Sequence, residues 1–116
     1  MGKTGGGNRC AGVYGLIGLA ARKGSVASGW EACERALKNG TDGFLLLAGD
    51  SAAGTKEHFK RFVSPSGDNY AIFGTAGELG KRTGNGKRSV IFITDNNIKR
   101  GICVLLGIAD GNITGV

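Results

Sequence analysis

The chain has 116 residues, the size of one domain, since domains cluster at roughly 100–150 residues. Apolar residues make up 41%, enough for a packed core, and charged residues at 21% are too few and too balanced for a disordered tail. Lys and Arg number 15 against 9 Asp and Glu, a net charge of +6 that favours a polyanionic partner, and the 23 glycines keep no three-residue period, which excludes a collagen-like helix.

Residues 1–9 are glycine-rich and basic with no apolar stretch at a cleavage-like site, so a flexible leader is expected there and not a signal peptide. The uncharged stretch Cys10 to Ala21 is interrupted by Gly12, Gly15 and Gly18 and falls short of the roughly 20 apolar residues of a membrane span. A soluble, cytoplasmic protein is expected. Val13, Leu16, Ile17 and Ala20 repeat at i, i+3, i+4 and i+7, one buried face of a first helix. Arg22 and Lys23 in its last turn suit the negative end of the helix dipole, and Gly24 can take the left-handed cap. The same two cations are candidate RNA contacts.

Ser25 to Ala27 should be a short extended link. Ser28 followed by Glu31 has capping-box spacing and predicts a second helix with Trp30, Cys33 and Leu37 inward, Arg35 and Lys38 outward, and Asn39-Gly40 as the stop. The apolar run Gly43 to Ala48 predicts a central strand covered on both faces. Gly49-Asp50-Ser51 ends it, and Thr55 to Val63 predicts a third helix with Phe59, Phe62 and Val63 inward. Ser64 to Asn69 is a dense loop signal, followed by the strand-like Tyr70 to Phe73, a short helix within Gly74 to Thr83 around Leu79, and a turn at Asn85-Gly86. Val90 to Ile93 is another apolar strand, and Asp95 or Asn96 caps a last helix carrying Ile98, Ile102, Leu105 and Leu106. Residues 10–106 thus read as a single domain and 107–116 as a loose tail. Such alternation predicts an α/β fold, a sheet of about four strands sandwiched by helices.

The chemistry-bearing residues are sparse. Cys10, Cys33 and Cys103 are far apart with no C-x-x-C pair, and read as buried free thiols, neither disulfide nor zinc ligands. His58 has no nucleophile at motif spacing and reads as a surface histidine; Glu31 and Glu34 read as a solvated helix face. Gly2-Lys3-Thr4 lacks the upstream half of a phosphate-binding loop, and Gly74-x-x-Gly77-x-x-Gly80 and Gly84-x-Gly86 miss the dinucleotide fingerprint. No catalytic residue, cofactor or metal is expected. What remains is a helix N-terminus behind a basic turn on a basic domain, a ready site for anions.

Three stretches in order carry a family likeness: Leu16-Ile17-Gly18-Leu19-Ala20-Ala21-Arg22-Lys23-Gly24, Ser28-Gly29-Trp30-Glu31-Ala32, and Glu78-Leu79-Gly80 followed by Arg88-Ser89-Val90-Ile91-Phe92-Ile93-Thr94-Asp95. Together they resemble the L-seven-Ae / L-thirty-e ribosomal protein superfamily, in its short bacterial branch, over about Gly12 to Leu106. The resemblance implies a three-layer α/β/α sandwich that binds kink-turn RNA and associates with ribosomal RNA. It places Gly29, Glu31, Ala32 and Arg35 against the G-A pairs, and Phe73, beside Gly74 and Thr75, against extruded nucleotides. Arg22, Lys23 and Lys38 would add basic contacts, and backbone N–H groups near Ser28 and Gly29 would hold the bent phosphates. Gly29 and Gly74 are the glycines placed to admit RNA to the backbone.

Strong kink-turn binders carry an amide- or amine-bearing residue and then Glu or Gln where this chain has Glu31 and Ala32, and Ala52 replaces an acidic guanine contact of some members. These departures, with apolar Trp30, motivate an alternative: a protein-interaction module on the same fold with weak, non-specific RNA binding. A detached RNA-substrate domain, like those attached to ribose methyltransferases, would have no cofactor fold of its own with which to catalyse.

Overall fold

The computed structural model describes residues 3–63 and 69–108, with side chains from residue 9 onward. In chain order the elements are α1 (Lys3–Arg22), β1 (Val26–Ser28), α2 (Trp30–Lys38), β2 (Phe44–Leu47), α3 (Ala53–Lys60), β3 (Tyr70–Ile72), α4 (Ala76–Arg82), β4 (Val90–Ile93) and α5 (Asn96–Leu106). The four strands form one sheet in the order β1-β4-β2-β3, with β4 antiparallel to both β1 and β2 and β3 parallel to β2.

Apolar continuity in β2 and β4 follows from their interior places, where both faces need covering. Phe44, Leu46, Ile91 and Ile93 project to one side, against Val13, Ile17 and Ala20 of α1, Leu79 of α4 and Ile98, Ile102 and Cys103 of α5. Leu45, Leu47, Val90 and Phe92 project to the other, against Cys33 of α2 and Phe59 of α3. The register pairs Leu46 with Ile91 and Leu45 with Phe92, so each face is a continuous apolar patch. The result is the α/β/α sandwich expected from the order of elements: α1, α4 and α5, then the sheet, then α2 and α3. Each fully buried Leu, Ile or Phe contributes roughly 1.5–3 kcal/mol against exposure.

Both ends of the chain depart from the expected boundaries. α1 begins at Lys3 and so runs through most of the segment expected as a leader. The packed turns from Val13 onward act as its nucleus, and propagation toward the N-terminus adds one backbone hydrogen bond per residue, which offsets the poor helix propensity of its glycines. At the other end Gly107 and Ile108 belong to the fold. Gly107, at φ 71°, donates to Val104 O and Ile108 N–H donates to Cys103 O at 2.9 Å, the paired bonds of a Schellman cap. The rest of the expected tail, 109–116, and positions 64–68 of the expected loop lie outside the described residues.

Asp95 caps α5, accepting from Ile98 N–H at 3.0 Å, and its carboxylate also pairs with Lys23. Hydrogen bonds from Lys23 and from the Ile98 amide hold the Asp95 carboxyl below its ordinary pKa. Lys23 is therefore a strut between the end of α1 and the start of α5. Cys33 and Cys103 are buried as expected, but Cys10 is exposed, because α1 turns that position away from the sheet. The Cys33 thiol donates to Ala27 O at 3.3 Å, and burial pushes it up to about 12, so it stays protonated and unreactive.

Candidate nucleic-acid interface

The register brings the last residues of β1, β2 and β3 and the first of β4 to one end of the sheet: Ser28 lies opposite Ile91, and Leu47 is paired with both Val90 and Ile72. At that end α2 begins, and it does so one residue later than capping-box spacing predicts. Ser28 stays in β1 because its hydroxyl is already engaged, accepting from Arg88 Nε at 3.1 Å and Asn85 Nδ2 at 3.2 Å. Gly29, at φ 95°, takes the N-cap position, and no side chain caps the helix. The Gly29 N–H expected to meet phosphate is instead spent on Val90 O at 3.0 Å, so the open donors are those of the following turn.

That turn, with Trp30, Glu31 and Ala32, borders an open groove of about 550 Å³ whose other walls are Arg35, Thr55 and the segment Lys87 to Val90. Arg35, Lys87 and Arg88 bring positive charge to it and Glu31 one carboxylate, which itself suits the first turn of a helix. Ser28, Gly29, Glu31, Ala32 and Arg35 are thus brought together as expected.

Lys87 and Arg88 join the site although the sequence does not single them out as contacts, and Asn85 braces it through the Ser28 hydroxyl. They are placed by the way the turn after α4 folds back on that helix. Asn85 N–H donates to Gly80 O at 2.7 Å and Arg88 N–H to Ala76 O at 2.9 Å. Gly80 permits this approach: a Cβ there would lie 2.6 Å from the Gly86 carbonyl carbon and nearer still to its oxygen. The readable signal is a Lys-Arg pair between a glycine turn and an apolar strand. Its meaning depends on Ser28, 60 positions away, which fixes the Arg88 guanidinium.

Farther along α2, Lys38 shares a shallow hollow with Glu31, Glu34 and Arg35 and pairs with Glu34 at 3.5 Å. Glu34 also meets His58 Nε2 at 2.9 Å, and this hydrogen bond, with Lys38 beside it, holds the carboxyl below its usual range. His58 is not a free surface residue. Its side chain is 23% exposed and its ring stacks on Trp30, because the α2–α3 layer needs a flat filler between them. Arg22 lies in a separate hollow with Lys81 and Arg82, on the layer of α1 and α4.

Phe73, Gly74 and Thr75 stand at the same end of the sheet but serve that opposite layer. Phe73 packs on the α1 side of the core with its ring 5.0 Å from that of Tyr14, in the layer opposite the α2 groove. Gly74 has φ 69°, and a Cβ on it would lie 3.2 Å from Tyr14 Cζ and closer to the hydroxyl, so the phenol occupies the space expected to admit RNA. Burial, before any charge effect, raises the Tyr14 pKa. Thr75 caps α4, its hydroxyl accepting from Glu78 N–H at 3.2 Å, while Asp50 accepts from Ala76 N–H at 2.9 Å. Thr75→Ala is expected to cost about 1 kcal/mol of stability. A thermal melt checks it, and an unchanged melting temperature would mean that the hydroxyl does not cap the helix.

Among the described residues no helix is long and apolar enough to cross a membrane. No family model matches the chain, and no curated protein matches it. Among solved structures, a protein of unknown function from Bacillus halodurans is similar, with a TM-score of 0.72 and 26% identity over 82% of this chain and 96% of that one.

Proposed function

We propose that the protein is a non-enzymatic, cytoplasmic RNA-binding protein that holds kink-turn-type structured RNA, associated with ribosomal RNA, in the groove at the start of α2. The observation that carries this reading is the convergence of an uncapped helix N-terminus with Arg35, Lys87 and Arg88 on one open groove. Backbone donors of the first turn and the guanidinium groups bind phosphate oxygens, and a sharply bent backbone presents more of these to a small concave surface than a straight duplex does. The sandwich fold, the net charge of +6 and the three resembling stretches support the same reading.

Titration against a labelled kink-turn duplex and a straight duplex of equal length, in magnesium, tests it. Tighter binding to the bent RNA is the expected result. Equal, weak and strongly salt-dependent binding to both would defeat the specific version, and no binding to either at low salt would defeat the RNA reading altogether.

A further inference from the structure

We propose that Trp30 is a stacking platform for an unpaired RNA base at the mouth of the α2 groove; this rests on the RNA reading above and adds a base contact to its phosphate contacts. Trp30 is 41% exposed, the one aromatic side chain among the described residues left this open, whereas the neighbouring Phe59 is fully buried. Trp30 is expected from the sequence to face inward, but the α2–α3 layer covers it only in part. Trp30 also lines the groove together with Arg35, Lys87 and Arg88.

The ring is also held in advance. His58 stacks on it with centroids 4.5 Å apart at 30°, and Phe59 meets it edge-on at 5.1 Å. His58 is in turn fixed by Glu34, and Phe62 packs on His58 from beyond at 6.1 Å. Little side-chain freedom is therefore left to lose when a base arrives. His58 and Phe59 leave part of the residue open, and Trp30 lines the same groove as Arg35, Lys87 and Arg88. A nucleotide whose phosphate meets Arg35 or Arg88 can lay its base against the exposed part of the indole. Stacking of this kind tolerates any base, since every base has a π-face, so Trp30 contributes affinity for an extruded nucleotide without reading its identity.

The chain contains one tryptophan and two tyrosines, so fluorescence excited selectively at the red edge of the tryptophan band reports this position alone. The full-length protein is titrated with a kink-turn RNA and with the same RNA carrying an abasic ribose at its extruded position, binding being followed independently by gel shift. The wild type is expected to show quenching with the intact RNA, less with the abasic one, and roughly 5- to 100-fold weaker binding of the abasic RNA. Trp30→Ala should bind the two RNAs alike, and Trp30→Phe, which keeps a ring on His58, should restore part of the difference. RNA binding with unchanged fluorescence, quenching indifferent to the missing base, or discrimination that survives Trp30→Ala each overturns the proposal while leaving the RNA reading intact. Failure of every form to bind either RNA by gel shift removes both.

Discussion

Gly80→Ala should lower the stability of the domain by about 3 kcal/mol, roughly 10–20 °C in melting temperature. The new methyl would fall 2.6 Å from Gly86 C and 3.1 Å from Lys87 Cα, backbone atoms that no rotamer change can move aside. Either α4 withdraws from the sheet, disturbing buried Leu79, or the turn lifts off and breaks the bonds from Asn85 N–H to Gly80 O and from Arg88 N–H to Ala76 O. Gly77→Ala is the matched control on the same helix. Its Cβ would have only Thr75 Oγ1 within 4 Å, at 3.9 Å, so the better helix propensity of alanine should leave stability unchanged or raise it by up to about 1 kcal/mol. Thermal melts followed by circular dichroism compare the two, and equal melting temperatures would mean that the turn does not rest on Gly80.

Removing the two cations on that turn should have the largest effect on binding. For Lys87→Ala/Arg88→Ala, RNA affinity at moderate salt is expected to fall roughly 10- to 100-fold, and the slope of log K against log salt to shrink by about 1.4–1.8, from the roughly 0.7–0.9 expected for each phosphate that is no longer neutralised. A slope is the more telling readout, because a fold defect lowers the active fraction without changing how many counterions binding releases. Arg22→Ala/Lys81→Ala, on the hollow of the opposite layer, is the comparison. If that pair reduces the slope and the Lys87/Arg88 pair does not, the interface belongs on the α1–α4 side.

The order of elements is legible because each is written in local pattern: the i, i+3, i+4, i+7 face of α1, and the unbroken apolar runs of β2 and β4. A cap of α5 at Asp95 or Asn96 is legible for the same reason, since a capping residue and the amide it accepts from are close neighbours, and Asp95 takes that role. The site is legible only in part. Ser28 has the spacing of a cap, but its hydroxyl is claimed by Asn85 and Arg88, whose proximity exists only once β1 pairs with β4. Phe73 ends an apolar stretch that could face either layer, and the position of Tyr14, set by the docking of α1, decides between them. His58 looks solitary in the sequence because its partners Trp30 and Glu34 sit on another helix. Local capping rules cannot weigh a competing acceptor or a distant ring.

The three cysteines differ in a way that makes the molecule convenient to instrument. With Cys33 and Cys103 enclosed in the core and Cys10 in the open, a thiol-directed dye or spin probe attaches to native protein at a single address. That address is on α1, in the layer on the other side of the sheet from α2 and outside the residues that line the groove, so a label there reports tumbling and complex formation without replacing any of them.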